Sequence, residues 1–215
     1  IDYKDFKKNY NSKEPQLIIL KFSSDIVDPV SSFMKISDDM ENSFIFESLK
    51  DGDLSGRYSV IGIKPDKILK ITNKISKIYI DNNIEEVIDN NPIEAIRYFI
   101  NSSLIKNNND IPSIASGIYG YIGYDFVANI EDLPKEKIDE FDVPDSILLR
   151  PSITVVFDKK FKEILICKAV WYADNIDADN AYNFALDELN KIKDKIKSDK
   201  IIKLKKEQKD LKEIK

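Results

Sequence analysis

Apolar residues recur at Tyr3, Phe6 and Tyr10, spacings of three and four that predict a short amphipathic helix over residues 2–12. A strand is expected at 17–22. Asp28 followed by Pro29 reads as an N-cap and first helical position, because proline lacks the amide that would be orphaned there; the helix should run to about Ile36. Between 43 and 81 the period falls to two, and β-type runs at 43–49, 57–63, 67–72 and 75–80 are separated by Gly52, Gly56, Pro65 and Asn73, the pattern of an antiparallel meander.

Asn91-Pro92 with Glu94 three residues past the cap opens the next helix, with Ile93, Ile96, Phe99 and Ile100 as its expected buried stripe. After the polar loop at 107–110, residues 114–124 read as strand. A polar, proline-marked excursion over 125–144 follows, then a hairpin from runs at 152–157 and 163–172. A capped helix starts near Asp177, with Ala181, Ala185, Leu189, Ile192 and Ile196 on one face. Helices and hairpin-joined strands are thus intermixed, which is α+β and largely antiparallel. Residues 1–197 are expected to form one domain, and 198–215 a lysine-rich tail or linker with little to bury, frayed on that account.

Composition narrows the chemistry. The 215 residues are 42% apolar, enough for a packed core, and the net charge of −5 offers no bulk positive field for nucleic acid or an anionic membrane. There is no histidine and one cysteine, Cys167, which excludes an imidazole base, an internal disulfide and a Cys/His zinc site. The longest uncharged stretch, 111–124, is too short and too rich in Gly, Pro and Ser to span a bilayer, and the charged first residues lack an apolar signal segment, so a cytoplasmic location is expected.

Three segments could carry chemistry. Gly117, Gly120 and Gly123 lie among aromatics without the Gly-Lys-Ser/Thr of a phosphate loop, and read as places where another backbone or ring comes close. The acidic pairs Asp38/Asp39, Glu85/Glu86 and Glu131/Asp132 sit in polar contexts that read as solvated loops. Phe44-Ile45-Phe46-Glu47-Ser48 is different: a carboxylate and a hydroxyl close an apolar strand, and the next opens with Arg57, one of only 3 arginines beside 30 lysines. Neighbouring strands would bring Glu47, Ser48 and Arg57 together, either as a structural Glu–Arg pair with a capping serine or as a set suited to an α-amino acid zwitterion.

Phe46-Glu47-Ser48, with Gly56-Arg57-Tyr58-Ser59-Val60-Ile61-Gly62, resembles the Leu-Leu-Glu-Ser and Gly-Arg-Tyr-Ser-x-Ile-Gly signature of the anthranilate synthase component I family. The resemblance recurs at Gly120-Tyr121-Ile122-Gly123-Tyr124-Asp125-Phe126-Val127, at Glu131-Asp132-Leu133-Pro134 and at Val155-Val156-Phe157-Asp158, so it spans about 5–195. Two positions depart from it, Ala128 for an arginine and Lys159 for a histidine.

The resemblance implies the N-terminal part of an enzyme that turns chorismate and ammonia into anthranilate and pyruvate in tryptophan biosynthesis. Its ammonia comes from glutamine through a partner amidotransferase subunit, component II. It implies orthogonally packed sheets flanked by helices, and one wall of the L-tryptophan feedback site, with Phe46, Glu47 and Ser48 as ligand contacts and Arg57 near the family's basic contact. Catalytic residues and the Mg²⁺ site would lie in a C-terminal chorismate-binding half of the parent, so no catalytic residue and no cofactor is expected within this chain. Aminodeoxychorismate synthase component I is the nearest alternative, and a structural or interaction domain that binds no ligand is the other.

Overall fold

The computed structural model describes residues 2–23, 27–37, 41–48, 56–80, 83–89, 91–106, 111–129, 131 and 143–198. Leu49, Gly52, the pair Asp38/Asp39, the loop at 107–110, Asp132-Leu133-Pro134 and the tail from 199 onward lie outside the described residues. In chain order the elements are helix α1 (Tyr3–Asn11), strand β1 (Gln16–Ser23), helix α2 (Pro29–Ile36) and strand β2 (Phe44–Phe46). Strands β3 (Tyr58–Thr72), β4 (Ile75–Ile80) and β5 (Asn83–Asp89) follow, then helix α3 (Pro92–Asn101). Strands β6 (Tyr119–Ile122), β7 (Ser146–Asp158) and β8 (Glu163–Val170) precede helix α4 (Ala178–Lys197).

Capping sets the helix starts. Asp28 accepts from the Ser31 amide at 2.7 Å, Asn91 from Glu94 at 3.2 Å and Asp177 from Asn180 at 2.8 Å. The reciprocal half of the box at α3 is not made, since the Glu94 carboxylate takes Arg97 at 2.7 Å instead. The buried stripe of α3 is also rotated from expectation: Pro92, Ala95 and Phe99 are buried, Ile93 and Ile96 partly so, and Ile100 faces outward. All five residues expected on the inner face of α4 are buried.

The strands form one antiparallel sheet built around two long members. β7 lies along β3 from Tyr58↔Asp158 to Ile71↔Ser146, and each long strand has different neighbours at its two ends. One half of the ribbon gives the order β1-β8-β7-β3-β2, and the other gives β6-β7-β3-β4-β5. Two strands expected on either side of Pro65 are therefore one. Pro65 lies opposite Pro151 at a register shift, where neither residue has an amide to lose and the ribbon can bend without breaking a ladder bond. The expected sheets are thus continuous through β3 and β7.

Other boundaries moved for local reasons. Asn73 and Lys74 both have positive φ, 51° and 68°, the two-residue turn that suits a tight β3–β4 hairpin. β5 was not expected; it carries Glu85 and Glu86, which sit on a strand and not in a loop, and a register shift at Ile78/Tyr79 breaks the alternation that would have marked it. The expected strand at 114–124 is a 3-10 turn at Ser113–Ser116 and the short β6, and a second 3-10 turn, Tyr124–Asn129, opens the excursion.

Helices α1, α2 and α4 cover one face of the first half, meeting Ile18, Ile61, Ile63, Ile153, Val155 and Ile166. The opposite face carries a smaller cluster of Leu17, Val60, Ala115, Tyr119, Val156 and Leu165, and α3 covers Leu69, Ile71 and Ile78 in the second half. Among the described residues no helix is long and apolar enough to cross a membrane.

Gly120 is the tightest point of the β6–β7 pairing: its φ is +154°, and a Cβ there would stand 1.9 Å from the Ile147 carbonyl oxygen. Gly120→Ala should therefore cost about 1–3 kcal/mol, read as a lower urea midpoint with unchanged slope. An unaltered midpoint would mean that β6 does not hold this approach in solution.

Candidate functional site

The four residues singled out in the sequence lie where β2 ends against the start of β3. β2 pairs antiparallel with β3 through Phe44↔Gly62, Ile45↔Ile61 and Phe46↔Val60. Alternation sends Ile45 to the helix-covered face, while Phe44 packs on the opposite cluster. Phe44, Phe46 and Tyr119 form a ring trio, with centroids 5.1 Å, 4.6 Å and 6.0 Å apart. Gly62 makes room for it, since a Cβ there would meet the Phe44 ring at 2.2 Å. Phe46 is at the trio's outer edge, 50% exposed.

Beyond Phe46 the chain leaves the ladder. The Glu47 side chain is exposed, and Ser48 is half-buried, its amide donating to Ser59 Oγ at 3.4 Å. The Ser48 carbonyl accepts from Lys159 Nζ. Ser59 is fully buried on β3, so the segment is anchored on both sides of its backbone.

Arg57 is brought to the same corner, but its carboxylate partner is Asp158 and not Glu47. Nε lies 3.0 Å and 3.2 Å from the two Asp158 oxygens and Nη2 lies 2.6 Å from Oδ2, a two-pronged clasp. The guanidinium carbon stands 4.6 Å from the Tyr58 ring centre and 4.8 Å from that of Phe161. Asp158 also accepts from the Lys160 and Phe161 amides at 3.0 Å and 3.3 Å, so one carboxylate closes the β7–β8 turn and holds the arginine. Burial pushes the Asp158 carboxyl up, but the Arg57 hydrogen bonds and charge, with the two amides, outweigh it and hold the group below the usual aspartate range.

The remaining candidates resolve as structure. Gly117 lies under the Tyr119 ring and Gly123 against the Asp145 carbonyl, so the glycine run serves close packing. Cys167 is buried, and burial pushes its thiol up to about 12, which leaves it unreactive. Ala128 is exposed in the second 3-10 turn. An open groove lined by Lys21, Phe22, Ser23, Phe161, Lys162 and Glu163 contains none of the four residues. Among the described residues no group of three or more Asp, Glu, Cys or His could hold a metal ion. The sequence reading missed Asp158 and Lys159 as parts of this corner; the signal was the scarcity of arginine, which marked Arg57 as needing a dedicated carboxylate.

No family model matches the chain. Among curated proteins, anthranilate synthase component 1 of Cereibacter sphaeroides is 31% identical over 184 residues, covering 84% of this chain and 37% of that protein. The chain is similar to the N-terminal region of anthranilate synthase component 1. The Thermus thermophilus anthranilate synthase component 1 is 28% identical over 137 residues, 64% of this chain and 28% of that protein. Among solved structures, anthranilate synthase component I from Streptococcus pneumoniae superposes with a TM-score of 0.48 at 17% identity, over 82% of this chain and 38% of that one. The chain spans about a third of the length of the anthranilate synthase proteins it matches.

The Asp158 clasp has a pH signature. Because the folded carboxyl is depressed, its contribution to stability is present above the ordinary aspartate range, near pH 4, and is lost as pH falls through the folded value. Asp158→Asn should therefore lower the melting temperature at pH 7 by several degrees, and the gap from the unaltered chain should close in thermal scans taken toward pH 2. A gap that stays constant with pH would contradict the clasp.

Proposed function

We propose that the chain is the N-terminal part of an anthranilate synthase component I, and that Phe46, Glu47, Ser48 and Arg57 belong to its L-tryptophan feedback site. The parent would convert chorismate and ammonia, delivered from glutamine by component II, into anthranilate and pyruvate, in the cytoplasm. The catalytic residues and Mg²⁺ are assigned to a C-terminal chorismate-binding half of that parent, which would pack against this domain.

The observation that carries the regulatory reading is the end of β2. A half-exposed aromatic surface at Phe46 is followed at once by an exposed carboxylate at Glu47 and the Ser48 hydroxyl, with cationic side chains at the same corner. An aromatic α-amino acid presents the complement: a flat apolar side chain joined to an ammonium and a carboxylate. Glu47 suits the ammonium, the Ser48 hydroxyl either head group, and Phe46 the indole. Arg57 lies at the same corner, its charge offset by Asp158. The family of relatives favours this reading over the aminodeoxychorismate alternative, since those relatives are named anthranilate synthase component 1.

A hydrogen bond to a charged head group contributes about 1.5–3 kcal/mol, so Ser48→Ala should weaken L-tryptophan inhibition of the full-length enzyme roughly 10- to 100-fold. Inhibition unchanged by this substitution would remove the segment from the site and favour a purely structural domain.

The chain alone should form no anthranilate from chorismate, with ammonia or with glutamine and component II. Steady fluorescence of product in a Mg²⁺-containing assay of the purified chain would overturn the division of labour between the two halves.

A further inference from the structure

We propose that Lys159, and not Arg57, is the cation that receives the carboxylate of an amino acid bound beside Ser48; the inference rests on the reading of residues 46–48 as an α-amino acid site. Arg57 is poorly placed for that role. Two of its nitrogens are committed to Asp158, its plane lies against Tyr58 and Phe161, and its side chain is 21% exposed. A second carboxylate approaching it would meet the ionised Asp158 at the same fork, a like-charge contact in a partly dehydrated setting.

Lys159 has the opposite properties. Its backbone is fixed, with its amide donating to the Arg57 carbonyl at 3.0 Å and its neighbour Asp158 locked into the turn by three partners. Its side chain is exposed and crosses the start of β3 to place the ammonium on the Ser48 carbonyl. An ammonium has three donors, and one carbonyl uses one of them. A carboxylate arriving at Ser48 can therefore be bound without breaking an existing pair, and the same ammonium holds the Ser48 backbone in place while it does so.

The charges around the position are ordered for a zwitterion. Glu47, exposed and next to Ser48 in the chain, is a pole for the ligand ammonium, and Lys159, held on the Ser48 carbonyl, is a pole for its carboxylate. The ring trio lies alongside through Phe46. Lysine is the better residue for this task, because a compact charge on a flexible stem can serve a fixed carbonyl and a transient carboxylate together.

The test compares L-tryptophan with L-tryptophanamide, which keeps the indole and the ammonium and lacks the negative charge, by calorimetric titration of the full-length enzyme. The unaltered enzyme should prefer the acid by roughly 10- to 100-fold. Lys159→Met, which keeps the stem and removes the charge, should lose most of that preference, weakening the acid far more than the amide. Lys159→Arg should restore it in large part. A preference that survives in Lys159→Met, or that is absent from the unaltered enzyme, overturns the proposal. If L-tryptophan binds with no dependence on Ser48, or does not bind, the reading of 46–48 fails instead, and the two failures are distinguished by Ser48→Ala run in parallel.

Discussion

The antiparallel pairing of β3 with β7 is the constraint from which the remaining structure follows. Two strands this long, held from Tyr58↔Asp158 to Ile71↔Ser146, cannot stay flat, because each strand twists and the twist accumulates along the ribbon. The bend is located by chemistry. Pro65 faces Pro151 and the preceding Lys64 has φ of 49°, so the ladder lacks amide donors where it changes course. Each half of the ribbon then recruits its own partners, β8, β1 and β2 on one side of the bend and β4, β5 and β6 on the other. Separate apolar clusters follow, with the three helices α1, α2 and α4 on the first half and α3 on the second. Glu188 of α4 ties the helix to the sheet, to β3 through Lys64 at 2.7 Å and to β8 through Lys168 at 2.8 Å.

This arrangement decides how the segment at the end of β2 is held. β2 is a three-residue edge strand on β3, and its ladder ends at Phe46↔Val60. Past that point Glu47 is exposed, while Ser48 is tethered by Ser59 and Lys159. The ring trio gives the edge its grip. Phe44 covers Gly62, filling space that a larger residue on β3 would close, and Tyr119 reaches the trio from the other half of the ribbon. The segment is thus supported by both halves, although it is bonded to only one.

Much of this was legible along the chain wherever a local cause acts alone. Asp28-Pro29, Asn91-Pro92 and Asp177 set the helix starts because a cap needs only residues within one turn, and the stripe of α4 from Ala181 to Ile196 needs only its own period. Pro65 misled because a proline ends a strand except at a bulge, and the residue that makes it tolerable, Pro151, is far away in sequence. β5 was hidden by a bulge that puts Glu85 between the apolar positions. At the site, the grouping of Ser48 with Arg57 followed from neighbouring strands, but the choice of Asp158 over Glu47 as the arginine's partner did not. That choice depends on β3–β7 register across 101 residues, and no local pattern encodes register between strands so distant.

The Arg57–Asp158 clasp explains why the corner uses two kinds of cation. A guanidinium offers a flat fork, so it can meet both oxygens of one carboxylate while its faces rest against Tyr58 and Phe161; a lysine ammonium in its place has no planar fork and no flat face to stack. Asp158 needs such a partner, because its side chain is only 4% exposed and must also accept the Lys160 and Phe161 amides. With the arginine and the aspartate neutralising each other, the buried part of the corner carries no net charge. The exposed part carries Glu47 and Lys159, whose charges lie in contact with water and cost little to maintain. The buried clasp therefore fixes the corner without a net charge, and the opposite charges of Glu47 and Lys159 stay at its exposed surface.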